Sequence, residues 1–80
     1  MKSIEVEVMT QHYMGSVRIE RKEENDLLFY IYIKNGFLGR LISIINPKKR
    51  LWYSPEINDK ELKLQIGEWI EHSYTLPNIN

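Results

Sequence analysis

Histidines and aspartates that could serve acid–base or metal chemistry are few in this 80-residue chain: His12 and His72, Asp26 and Asp59. Enzymatic catalysis needs a nucleophile or base together with a group that orients it, and these four residues offer no such pairing. Asp26 closes the polar run Glu23, Glu24, Asn25, Asp26, which reads as a turn, and Asp59 stands where a helix is expected to begin. His72 follows Glu68 by one helical turn, the spacing of a solvated surface pair. There is no HxxxH or HExxH spacing and no cysteine, so neither a zinc ligand set nor a thiolate site is expected. Gly36 and Gly39 have no helix after them, which removes the helical N-terminus that a phosphate-binding glycine loop requires. The expectation is no catalytic residue, no metal and no cofactor.

A second constellation concerns binding. Lys34, Arg40, Lys48, Lys49 and Arg50 lie close in sequence to Tyr30, Tyr32, Trp52 and Tyr53. Cations interleaved with rings on a sheet hold single-stranded nucleic acid, the bases stacking and the phosphates being neutralised. Lys34, Arg40, Lys48, Lys49, Arg50, Trp52 and Tyr53 therefore define an alternative, nucleic-acid reading. Against it stand Glu5, Glu7 and Glu20, expected on the same face, and the exact balance of eleven basic and eleven acidic residues, which leaves no long-range field to steer a polyanion.

The leading expectation is a non-enzymatic protein-interaction module. It follows from strands that are apolar on both sides, of which a single helix covers one. Leu28, Tyr30, Tyr32, Leu38, Ile42, Ile44 and Trp52 would then lie on an outer face with more apolar surface than a small monomer leaves open. Tyr30, Tyr32, Arg40 and Ile42 are the expected contact residues, with a protein partner or a second copy as occupant. An edge strand offers a second route to association. The competing arrangement has the C-terminal tail, through Leu76 and Ile79, folding over that face.

The elements that must position these residues are legible from periodicity. Ile4, Val6 and Val8 alternate with polar neighbours, as do Val17 and Ile19, which predicts two strands joined in a hairpin. Leu27 to Lys34 is rich in β-formers, and Asn35-Gly36 is a strong hairpin signal. A three-residue loop of Lys34, Asn35 and a bulged Gly36 sets Phe29 opposite Leu41, Tyr30 opposite Arg40 and Ile31 opposite Gly39, keeping apolar partners together. Ile31 then faces a gap that another side chain must fill. The fourth strand runs from Phe37 to about Ile45, Asn46-Pro47 begins a turn, and Arg50 to Tyr53 forms a short fifth strand.

The helix carries three signals: Asn58 as N-cap, Glu61 returning a capping-box bond, and Ile57 with Leu62 as a hydrophobic staple. Leu62, Ile66, Trp69, Ile70 and Tyr74 repeat at helical spacing and form the stripe expected to lie on the sheet. Leu64 falls on the polar side. The fold class is thus α+β, an antiparallel meander of about five strands with one C-terminal helix on one face (βββββα), in a single domain spanning 1–80 with a loose tail at 75–80.

Composition agrees with a folded chain, at 42% hydrophobic and 28% charged residues. The N-terminus alternates like a strand and lacks the apolar core of a signal peptide. No apolar run approaches the roughly 20 residues that span a bilayer. A cytoplasmic, membrane-free location is the corresponding expectation, and the absence of cysteine fits a reducing compartment.

Overall fold

The structure, a computed structural model, describes residues 2–22, 27–34, 36–46 and 49–74. Five strands precede one helix: β1 Lys2–Met9, β2 Met14–Arg21, β3 Leu28–Ile33, β4 Gly36–Asn46, β5 Lys49–Tyr53 and α1 Lys60–Ser73. The strands lie side by side in chain order, and every neighbouring pair is antiparallel. The βββββα meander expected from the sequence is the fold. The helix reaches both β1 and β5, so the sheet curls around it. No helix among the described residues is long and apolar enough to cross a membrane. The Glu23–Asp26 turn, Asn35, Pro47, Lys48 and the 75–80 tail lie outside the described residues.

Alternation decides which side chains go inward. Val6, Val8, Val17, Ile19, Phe29, Ile31 and Leu41 come from one face of the first four strands and are buried together beneath Leu62, Ile66, Ile70 and Tyr74 of the helix side. The β3–β4 register is the expected one, pairing Phe29 with Leu41, Tyr30 with Arg40 and Ile31 with Gly39. Ile57 and Glu56 fill the gap at Gly39, where a Cβ would meet atoms of both at 2.9 Å.

The irregularity in this hairpin sits elsewhere than expected. The register shifts between Ile31 and Tyr32, so that Tyr32 pairs with Phe37 and Ile33 with Gly36. The extra residue is Leu38, not Gly36. Gly36 instead ends the tight loop at a φ of 121°, which residues with a Cβ rarely adopt. The bulge turns Leu38 against the core and puts Phe37 on the outer face.

Two features of the helix also differ. Its N-cap is Asp59, not Asn58, with the carboxylate accepting from the Leu62 amide at 3.2 Å. A charged acceptor at the positive end of the helix accounts for the shift by one residue. Glu61 makes no capping box, because its carboxylate accepts from the Gln11 amide of the β1–β2 loop at 3.1 Å. Ile57 and Leu62 are nonetheless both buried.

The second difference is Trp69, which is 40% exposed rather than in the core. Gly67 is buried beside Leu62, Ile66 and Ile70, and its missing side chain makes room for Trp52: a Cβ there would lie 2.3 Å from the indole Nε1. Trp52 therefore belongs to the inner face, with its ring edge-on to Phe29 at 6.0 Å and its Nε1 donating to Glu71 at 3.2 Å. The helix is rolled so that its glycine side enters and its tryptophan side comes out over β1.

Candidate functional site

The outer face divides into two halves of different chemistry. On β1 and β2, Glu5 stands opposite Arg18 and Glu7 opposite Ser16. The Ser16 hydroxyl donates to Glu7 at 2.8 Å, and Arg18 is bound by Glu20 on its own strand. On β3 to β5 the same face presents Leu28, Tyr30, Tyr32, Phe37, Ile42, Ile44, Leu51 and Tyr53, joined by the pairings Leu28–Ile42–Tyr53 and Ile44–Leu51. Phe37 lies 5.4 Å from Tyr30 and 5.6 Å from Tyr32 between ring centroids, so three aromatic rings form one cluster. The helix is on the other side. Phe37, Tyr53, Ile44 and Leu51 keep 51%, 50%, 42% and 41% of their surface exposed.

The expected contact residues Tyr30, Tyr32, Arg40 and Ile42 share this half, all of them half-buried. Arg40 is engaged within the molecule. Its Nε and Nη2 donate to Glu56 at 3.0 and 2.7 Å, and its backbone amide donates to the same carboxylate at 2.9 Å. That hydrogen bonding and charge hold the Glu56 carboxyl below its usual range and the Arg40 guanidinium above its own. The pair clamps the β5–α1 connector beside β4, where β5 no longer supplies a strand. Ser54 fixes the same connector by accepting from the amides of Glu56 at 3.2 Å and Ile57 at 2.8 Å.

The basic and aromatic residues of the nucleic-acid reading are not brought onto one surface. Arg40, Lys49 and Tyr53 belong to the outer face, whereas Arg50 and Trp52 alternate onto the helix side, Arg50 donating to the buried Ser43 hydroxyl. Trp52 was expected on the outer face; the open space above Gly67 draws it inward. Lys34 is exposed at the end of the β3–β4 hairpin, and Lys48 lies outside the described residues. The guanidinium of Arg18 covers one face of the Tyr32 ring at 4.2 Å, and the Lys22 ammonium covers one face of Tyr30 at 4.6 Å. A base stacking on either of those ring faces would first have to displace a cation.

Leu38 was also expected on the outer face and is removed from it by the bulge, while Phe37, Leu51 and Tyr53 complete the face and were not expected there as contacts. Only the position of the bulge, unreadable from a repeat of two, would have exchanged Phe37 for Leu38. His12 and His72 are exposed at the β1–β2 loop and the last helical turn. Among the described residues no three histidine, aspartate or glutamate side chains gather as a metal site.

The two edges of the sheet are treated differently. At β1 the Gln65 side chain pairs with the strand like another peptide unit: the Met9 amide donates to Oε1 at 2.9 Å and Nε2 donates to the Met9 carbonyl. Trp69 Nε1 donates to the Glu7 carbonyl at 3.2 Å. At β5, no described side chain bonds the backbone of Leu51, Trp52 or Tyr53. A cleft of about 320 Å³ runs there instead, between Arg50, Leu51 and Trp52 on one side and Lys60, Lys63 and Leu64 on the other.

Comparison of the chain with family models, curated proteins and solved structures finds no match.

Proposed function

We propose that this chain is a small, non-enzymatic protein-interaction module that associates with a second copy of itself through the outer face of β3 to β5. The observation that carries this reading is the apolar and aromatic half-face from Tyr32 and Phe37 to Tyr53, interrupted by Arg40 with its partner Glu56, opposite the side on which the helix packs. Such a surface is uncommon on a monomer of this size, and a short chain with a modest core gains stability by assembly.

A second copy suits the surface in charge as well as in shape. An isologous contact sets each patch against itself. The apolar half then meets the apolar half, as two sheets pack face to face. The β1–β2 half carries both signs, Glu5, Glu7 and Glu20 with Arg18 and Lys22, so at the rim each copy offers acceptors to the other's cations. With eleven residues of each sign, two copies meet without net repulsion.

Size-exclusion chromatography with light scattering across a dilution series tests the reading. The mass is expected to rise with concentration from 9.6 kDa toward twice that value, and Phe37→Glu or Tyr32→Glu is expected to hold it at the monomer while circular dichroism is unchanged. A strict monomer at millimolar concentration contradicts the proposal, as does a dimer that Phe37→Glu leaves intact.

A further inference from the structure

We infer that the cleft between β5 and the first half of α1 receives an extended, acidic segment of a partner protein, which adds as a strand to the free edge of β5. This surface is separate from the proposed dimer contact except at Leu51, which borders both.

The sheet itself supplies the first reason. β5 is a terminal strand, and an open edge presents amide and carbonyl groups that a further strand satisfies. The other terminal strand is covered at its Glu7–Met9 end, where Gln65 and Trp69 of α1 bond its backbone. The same helix packs Gly67 and Glu71 against Trp52 of β5, while its first half, at Lys60, Lys63 and Leu64, leaves a cleft beside the strand.

The lining gives the chemistry of the occupant. Leu51, 41% exposed on the outer face of β5, offers apolar contact to one set of alternate side chains of an added strand, and Leu64, 62% exposed, borders the cleft on the helix side with Trp52. Lys60 and Lys63 rise from the helix to line the cleft, and Lys49 stands outside it, on the outer face at the start of β5. None of these three lysines has an ion-pair partner among the described residues. Lys60 and Lys63 also sit in the first turns of the helix, where the macrodipole disfavours cations, and they are like charges one turn apart. Carboxylates on an incoming strand relieve both conflicts. An extended segment alternating acidic and branched apolar residues therefore matches the edge, the groove and the charges together.

The test is an NMR titration of the labelled full chain at physiological salt with a blocked hexapeptide alternating glutamate and valine. Two controls are used: the same peptide with lysine for glutamate, and the same peptide with alternate amides N-methylated, which removes the strand's donors. Expected are saturable shifts confined to Lys49–Tyr53 and Lys60–Leu64, with a Kd of about 0.1–1 mM for so short a strand. Binding should weaken at least ~10-fold in the Lys60→Glu, Lys63→Glu double variant, which retains its fold because acidic residues suit a helix N-terminus. Neither control should bind. The inference is overturned by no shift at millimolar peptide, by shifts centred elsewhere, by equal binding of either control, or by undiminished affinity in the double variant.

Discussion

The inner and outer faces of the sheet are built from alternate residues of the same five strands, yet they end in different states. On the inner face, Val17, Ile19, Phe29, Ile31 and Leu41 lose all contact with solvent beneath the helix. On the outer face, Tyr30 and Tyr32 are sheltered only by neighbouring side chains, Phe37 beside both rings and Lys22 and Arg18 over one face of each. Both faces of β3 and β4 are apolar, so alternation alone does not say which is the core. The asymmetry comes from having one helix, whose stripe suits the face with branched aliphatics. What remains on the other face is ring-rich and amphipathic, the composition found where proteins meet one another.

If the inner face carries the stability, emptying it should have the largest effect. Phe29→Ala removes the ring on which Trp52 and Tyr74 converge and is expected to cost about 3–5 kcal/mol, enough to unfold much of so small a domain. Urea denaturation measures this, and a loss under about 1 kcal/mol would mean the ring is not a core residue. The seam between helix and sheet comes next. Gly67→Ala drives a methyl into the Trp52 indole and is expected to cost about 1–3 kcal/mol by overpacking, with a change in Trp52 fluorescence that an exposed glycine would not produce.

Trp69 sharpens the contrast from the other flank of the same helix. The helical stripe read from sequence places it in the core, where its removal would cost as much as that of Phe29. Its exposure predicts about 1–2 kcal/mol for Trp69→Ala, from partial burial and the bond to the Glu7 carbonyl. A loss above about 3 kcal/mol in the same titration would restore it to the core.

The smallest expected effect is at Glu56, where the outer face meets the connector. Arg40 depresses this carboxyl, so folding favours the ionised form. The stability it contributes is fully present above the ordinary glutamate value of about 4.3 and is lost as pH falls through the lower, folded value. Urea midpoints of wild type and Glu56→Gln should differ by a constant amount above about pH 5 and converge below that range, the gap being small because the pair is largely open to water.

Much of this was legible in the residues. The meander followed from period-two alternation and the Asn35-Gly36 signal, and the pairing of Phe29 with Leu41 and the gap at Gly39 from choosing the loop that keeps apolar partners together, whereas the pairings nearest the turn, Tyr32 with Phe37 and Ile33 with Gly36, did not follow. Nor were the two tryptophans legible. Trp69 lies at the border of the helical stripe beside Gln65, and only the packing of Trp52 on Gly67 decides which way the helix rolls; that contact joins residues far apart in the chain and leaves no periodic trace. Leu38 and Phe37 exchanged places for a related reason, since a bulge shifts alternation by one residue at a point fixed by tertiary fit. The sealing of β1 by Gln65 was equally hidden, a glutamine on a helix being an ordinary surface residue until the strand beside it is known. Of the candidate surface, Tyr30, Tyr32, Arg40 and Ile42 fell together on one face, while the basic and aromatic set separated because Arg50 and Trp52 alternate with Lys49 and Tyr53.

The most direct measurement of the proposed contact is an isotope-filtered NOE experiment on a mixture of labelled and unlabelled chains at millimolar concentration. Intermolecular NOEs are expected among the rings of Tyr30, Tyr32, Phe37 and Tyr53 and the methyl groups of Ile42 and Ile44. Their absence, or intermolecular NOEs confined to the helix, would contradict association through the outer face.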